Sequence, residues 1–355
     1  MDTLKRLQDK MKRYGMPAAL ILSDEQRFYL SGFKSSAGFM VIFQDDAYLF
    51  VDSRYFEAAK LCAASLSYEV SLFRGKIIPY ITKLLNDKNI STLYFEDDLI
   101  SFADFRALHM SLEKIELKQM GSFISDLRMI KTARELEYIR RAQKESEDAL
   151  MRVMGRIGAG MTEREAALML EWEIRTRGMD ASFDFIAAGG ENSSKPHAVP
   201  TDRKLKKGDF LTIDFGAKYM GYCADMTRTF AIGTPTDEMR HVYEVVRSAK
   251  IAAERVIRAG LKGSEIDRAA RAVIEEAGYG ANFGHSLGHG VGVVVHEQPN
   301  FAPMYEREIP EGAVVSVEPG IYLEGRFGVR IEDLVFVDED EAVSLNSMTT
   351  ELIVL

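Results

Sequence analysis

Cysteine is nearly absent from this chain of 355 residues, which holds only Cys62 and Cys223. Two isolated thiols in so long a chain read as reduced side chains rather than as a disulfide framework. A basic excess is missing too. Lys and Arg number 45 against 54 Asp and Glu, for a formal net charge of -9. The chain therefore lacks the basic footprint that nucleic acid or an anionic membrane surface requires. No apolar run approaches the roughly 18 residues of a membrane span. Met1 to Lys10 is charged and polar, without the apolar stretch of a secretory signal. These absences lead to the expectation of a cytoplasmic protein with no nucleic-acid and no membrane partner. What is present is an ordinary globular composition, 46% hydrophobic and 28% charged. The length is enough for two domains.

Residues 1–125 alternate helical and strand patterns and predict an α/β domain. Helices are expected over Leu4 to Tyr14, Arg54 to Ala64, Ile77 to Leu85 and Phe102 to Leu112. Strands are expected over Ala18 to Leu22, Thr92 to Phe95 and Ile115 to Lys118, with a hairpin formed by Phe39 to Phe43 and Tyr48 to Val51. Little chemistry concentrates here. Asp52, Ser53 and Arg54 at a strand end read as a helix cap beside a solvated guanidinium.

Residues 126–355 carry an internal repeat. A long helical stretch, Glu135 to Val153, leads to Gly160, and a second, Met239 to Arg255, leads to Gly260. A further helix follows each. The first starts at a capping box of Thr162 with Glu165, the second at a weaker acidic version, Ser264 with Asp267. Gly178 and Gly278 stop them. Gly208 then precedes Asp214 by six residues, and Gly312 precedes Glu318 by six. Matching halves predict a pseudo-twofold domain with its ligands where the halves meet. His109, His241 and Trp172 lie on helical patterns and read as structural or core.

The chemistry concentrates on two hairpins. Leu211, Ile213 and Phe215 alternate with Asp214, and the returning strand carries Asp225. A turn centred between Tyr219 and Met220 puts the two acids directly opposite, with Cβ atoms about 5 Å apart. Two carboxylates that close repel by about 3 kcal/mol at an effective dielectric near 20, so a proton or a cation must neutralise them. In the second hairpin a turn centred on Gly325 puts Glu318 opposite Glu332, with Arg330 two residues away on the same strand face. Four of the six histidines, His197, His285, His289 and His296, lie near these hairpins in sequence. Four carboxylates and one imidazole suit hard or borderline divalent ions. Their charge calls for two ions rather than one, a recurring device for hydrolysis. Cys223 shares the strand face of Asp225 and reads as buried packing.

The segments Asp214-Phe215-Gly216, Asp225-Met226-Thr227-Arg228-Thr229, Gly288-His289-Gly290, Val295-His296-Glu297, Glu318-Pro319-Gly320-Ile321-Tyr322 and Arg330-Ile331-Glu332-Asp333 resemble those of the pita-bread metallopeptidases. That family includes methionine aminopeptidase, aminopeptidase P and prolidase. The resemblance implies an α/β amino-terminal domain followed by a pseudo-twofold α+β catalytic domain of creatinase/aminopeptidase type. It implies two divalent metal ions, manganese first, with cobalt or zinc as alternatives. Asp214 would chelate one ion, His289 and Glu318 the other, and Asp225 and Glu332 would bridge both. Glu318 would accept the proton of the attacking water. His197 and His296 would hydrogen-bond to the tetrahedral intermediate or the leaving nitrogen, His285 would line the substrate side, and Arg330 would orient the acids. The amino-terminal domain, with Val51-Asp52-Ser53-Arg54-Tyr55, resembles that of prolidase and aminopeptidase P. The implied activity is hydrolysis of the Xaa-Pro bond of di- or short oligopeptides by a homodimer. Methionine aminopeptidase is the nearest alternative and generally lacks such a first domain. A non-catalytic scaffold of the same fold is the other, and such scaffolds have lost metal ligands. Arg307 is a candidate partner for a substrate carboxylate, set against a solvated surface role.

Overall fold

The computed structural model describes residues 3–63 and 67–355. The chain divides into two compact units, Met1–Leu127 and Arg128–Leu355.

The first unit is built on one six-stranded sheet. Its strands run in the order Glu69–Leu72, Ala47–Val51, Phe39–Phe43, Ala18–Ile21, Thr92–Phe95, Glu116–Gln119. Ala18–Ile21 and Phe39–Phe43 are buried at every position, which matches their continuous apolar sequence. Thr3–Tyr14 is an amphipathic helix that buries Leu4, Leu7 and Met11, spaced at helical intervals. The helix predicted from Arg54 begins at Phe56, as Phe56–Ala63, and Ala64 falls outside the described residues. Arg54 lies outside the helix, and its backbone N–H donates to the Asp52 carboxylate at 2.9 Å. That local bond competes with helix entry.

In the second unit each half pairs two helices with an antiparallel sheet. Ala133–Val153 and Glu163–Thr176 belong to the first half, Asp237–Glu254 and Gly263–Glu276 to the second. Capping boxes Thr132/Glu135 and Thr162/Glu165 open the first pair. The expected Ser264/Asp267 cap does not form. The last helix starts at Gly263, so Ser264 is already inside it, and its hydroxyl donates to Glu306. The Glu265 carboxylate instead accepts the Lys262 backbone N–H at 2.9 Å. The repeat thus runs at a constant spacing of 100 residues through Gly160/Gly260, Thr162/Lys262, Glu165/Glu265 and Gly178/Gly278. Trp172 also departs from expectation, being 71% exposed. Ala166, Leu170 and Ile174 recur every four residues and form the inward stripe, and Trp172 sits between the last two on the opposite side.

The sheets then place the chemistry. Ile186–Gly189, Phe210–Phe215 and Met226–Ala231 form one antiparallel sheet. Leu211, Ile213 and Phe215 pack with the first helix pair in one core. Residues alternate across a strand, so Thr212 and Asp214 point to the other face. In the second half Val315 and Val317 pack with the second helix pair, leaving Ser316 and Glu318 on the far face. The first half's return strand meets the second half's directly. The Glu332 N–H donates to the Thr227 carbonyl at 3.1 Å, and Thr229 Oγ1 donates to the Arg330 carbonyl at 2.9 Å. The two acid-bearing faces therefore share one interior space.

Candidate metal centre

The first hairpin turns at Met220 and Gly221, with φ of 49° and 84°. Two positive φ values in succession make the tight hairpin turn that matches strand twist. The turn thus lies one residue later than the sequence reading put it, because Gly221 takes its second position. The register moves by two: Asp214 pairs with Thr227, not with Asp225. Because side chains alternate with period two, the slip leaves both acids on the same face, now diagonal to one another. Gly216 lies between them in the ladder. A Cβ there would meet the Ala224 carbonyl oxygen at 1.9 Å, so only glycine admits this close approach. The second hairpin has the register that a Gly325-centred turn requires: Gly320 pairs with Arg330 and Val317 with Asp333, which brackets Glu318 opposite Glu332.

Five side chains converge. Ligand atoms of Asp225, His289 and Glu332 all lie within 4.8 Å of one another. His289 Nε2 is 3.2 Å from Glu318 Oε1 and 3.7 Å from Asp225 Oδ2. Burial, followed by repulsion from the neighbouring acids, holds Asp225 and Glu332 well above the usual carboxylate range. Burial pushes Asp214 up as well, against the pull of Arg330. Burial works on Glu318 in the same direction, but the His289 imidazole outweighs it and brings Glu318 down to about 2. Burial lowers His289 too, and the bond to Glu318 raises it above its ordinary value. Four clustered acids thus carry a large unmet demand for positive charge. Two buried oxygens, Asp214 Oδ1 and Glu332 Oε1, have no hydrogen-bond partner. Orphaned buried acceptors in a native site call for an ion or a water. The donor set, oxygen-rich with one imidazole, fits hard or borderline divalent ions.

A hydrogen-bond lattice sets these side chains. Arg330 donates from Nη2 to Asp214 Oδ2 at 2.7 Å, from Nε to Thr227 Oγ1 at 3.0 Å, and from Nη1 to Tyr322 Oη at 2.8 Å and the Pro196 carbonyl at 3.1 Å. Thr227, fully buried, donates its hydroxyl to Glu332 Oε2 at 2.7 Å. Ser316 donates to Glu318 Oε1 at 3.1 Å and accepts the His289 N–H at 3.0 Å. Behind them, the buried Arg228 donates to Asp333 Oδ1 and to the Glu332 carbonyl, both at 2.6 Å. Thr227, Tyr322 and Ser316 were not singled out by sequence reasoning. Thr227 and Tyr322 stand within motif segments quoted above, and the parity of Ser316 with Glu318 was the one local signal for it.

The histidines arrive on anchored loops. Buried Glu163 accepts bonds from Gly189 N, Asn192 Nδ2, Thr201 N and Thr201 Oγ1, at 2.6–2.9 Å. It thereby ties down the loop that carries His197. In the other half Arg271 grips Asp267 and donates to the Phe283 and His285 carbonyls, both at 2.9 Å. The His285 ring faces Tyr322 Oη at 3.0 Å, and the His296 ring stands edge-on to His289 with centroids 4.2 Å apart. His197, His285, His289, His296, Arg330 and all four acids line one cavity of about 510 Å³. Arg307 is exposed and does not line it.

Fold and cluster define the class: a two-domain chain whose second half has the pita-bread fold, with an acid-rich centre of the kind that divalent-metal peptidases use. Residues 137–339 match metallopeptidase family M24, and residues 3–130 match the creatinase/prolidase N-terminal domain. The chain belongs to metallopeptidase family M24. It is 34% identical to the Xaa-Pro dipeptidase of Pyrococcus furiosus, across 99% of each chain. The structure of an Xaa-Pro dipeptidase from Bacillus anthracis superimposes with a TM-score of 0.94 at 35% identity, over 100% of this chain and 99% of that one. An X-Pro aminopeptidase from Thermotoga maritima gives a TM-score of 0.94 at 36% identity, over 100% of both.

Proposed function

We propose that this chain is a metal-dependent exopeptidase that cleaves the Xaa-Pro bond at the amino terminus of di- and short oligopeptides. The observation that carries the reading is the buried convergence of Asp214, Asp225, His289, Glu318 and Glu332, with acceptor oxygens left unpartnered on Asp214 and Glu332. We assign these five as the residues that would hold two divalent ions, manganese first. When bound, the ions supply Lewis acidity to the scissile carbonyl and make a water nucleophilic at neutral pH. The protein's own groups do the rest. Glu318 takes the proton of the attacking water, and Ser316 on Oε1 fixes the orientation of its carboxylate. His197 and His296, both exposed at the cavity wall, donate to the developing oxyanion and to the leaving nitrogen. His285, set by Tyr322, lines the substrate side. Arg330 holds Asp214 in place and so fixes one ligand before substrate arrives.

The proline preference rests on the named relatives and on the first domain. Its physical sense is that an Xaa-Pro bond lacks an N–H and its ring locks one backbone angle, so binding orders little. A cytoplasmic homodimer is part of the same reading. Both cysteines are free, and among the described residues no helix is long and apolar enough to cross a membrane. The test is hydrolysis of Ala-Pro, Ala-Pro-Ala, Ala-Ala and Met-Ala-Ala by manganese-loaded protein, with elemental analysis of the desalted sample. About two ions per chain and cleavage of the proline peptides alone are expected. Comparable cleavage of Met-Ala-Ala would overturn the proline preference, and full activity at one ion per chain would overturn the paired-ion centre.

A further inference from the structure

Among the described residues, Asp184 is the one acid lining the central cavity that stands outside the cluster of Asp214, Asp225, Glu318 and Glu332. It is exposed, and among the described residues no ion pair or hydrogen bond engages its carboxylate. Asp184 and Phe183 also line a second cavity, of about 250 Å³, so the two spaces meet at these residues. Cations do line that second cavity, but each already has an anion: Arg164 bonds Asp202 at 2.9 Å and Arg175 bonds Glu171 at 2.8 Å. Asp184 is therefore an uncommitted negative charge at the junction.

We propose that Asp184 selects a basic side chain on the residue before proline. The proposal rests on the Xaa-Pro reading of the site. A substrate for such a site carries positive charge in two places, the α-ammonium and a lysine or arginine side chain. Only one carbon separates the α-nitrogen from the scissile carbonyl, so the α-ammonium must stay beside the clustered acids. The side chain is the part of an amino-terminal residue able to reach a carboxylate at the edge of the central cavity. Phe183, next in sequence and lining both spaces, offers an apolar surface for the methylene stem while the ammonium meets Asp184. Water reaches the pair, so the selection is modest: about three- to fivefold at low ionic strength, and weaker as salt is added.

The experiment compares Lys-Pro with norleucyl-Pro, its uncharged analogue of matching stem, and with Glu-Pro, on the manganese-loaded full chain. The kcat/KM ratio of Lys-Pro to norleucyl-Pro is expected at about three to five at low salt, falling towards one in 0.5 M salt. Asp184→Asn should bring the ratio to about one, and Asp184→Lys should turn the preference towards Glu-Pro. Calorimetric Kd values for Lys-Pro and norleucyl-Pro on the metal-free chain, where turnover is abolished, should rank in the same order. A wild-type ratio near one, or a ratio unchanged in Asp184→Asn, overturns the proposal. So does an equal loss on both substrates in that variant, since it would place the α-ammonium at Asp184. Failure of the underlying reading looks different: no Xaa-Pro dipeptide is cleaved, and the proposal falls with it.

Discussion

Thr227→Val tests the lattice around the acids at its narrowest point. Valine has nearly the shape of threonine, so no cavity opens at this fully buried position. What disappears is one hydroxyl that donates to Glu332 Oε2 at 2.7 Å and accepts from Arg330 Nε at 3.0 Å. Each bond involves an ionisable partner, and an orphaned buried donor costs about 1–3 kcal/mol. With some relaxation the expected loss of metal-free stability is about 2–3 kcal/mol, read as a lower midpoint in urea at unchanged slope. Glu332 also loses the group that orients it, and a lost orienting partner typically weakens metal affinity by about 10–100-fold. Manganese titration followed by calorimetry measures that term separately. Thr227→Ser is the control. It keeps the hydroxyl and loses a methyl, so about 1 kcal/mol of stability should go while metal affinity changes little. If the valine variant binds manganese as tightly as the parent, the Thr227 hydroxyl does not orient Glu332 for metal.

Two further outcomes are expected. His296→Ala and His197→Ala should keep their metal content by elemental analysis yet lose about 100-fold or more in turnover, the scale of a lost transition-state donor; loss of metal would make the residue a ligand, and full activity would make it structural. Glu297 is pulled two ways, upward by burial and more strongly downward by Lys131 and Arg128, so its folded pKa lies below the ordinary 4.5. Its stabilisation is then present above the unfolded-state pKa and fades as pH falls through the folded value. Glu297→Gln leaves both cations buried without their anion and should cost about 3–5 kcal/mol near neutral pH, with the gap to the parent narrowing below pH 4.5 in urea unfolding.

Much of this protein is legible in its sequence because the signals are local. The capping box of Thr162 and Glu165, the glycine stops at Gly178 and Gly278, and the alternation around Asp214 each depend on a few neighbouring residues. Parity alone put Asp214 and Asp225 on one face, and that conclusion survives a register error of two residues for the same period-two reason. The repeat and its acids mark in the sequence the two hairpins whose acids line one cavity. Tertiary structure decided what depends on contacts between distant segments. The actual register follows from a turn at Met220 and Gly221, where methionine carries no turn signal of its own. The outward face of Trp172 depends on which helical stripe finds a partner. The joining of the two hairpins through Thr227, Arg330 and Arg228 links residues about a hundred positions apart. No local pattern encodes such a pairing, because the hydroxyl of Thr227 meets Glu332 only when a strand from the other half of the repeat is laid beside it.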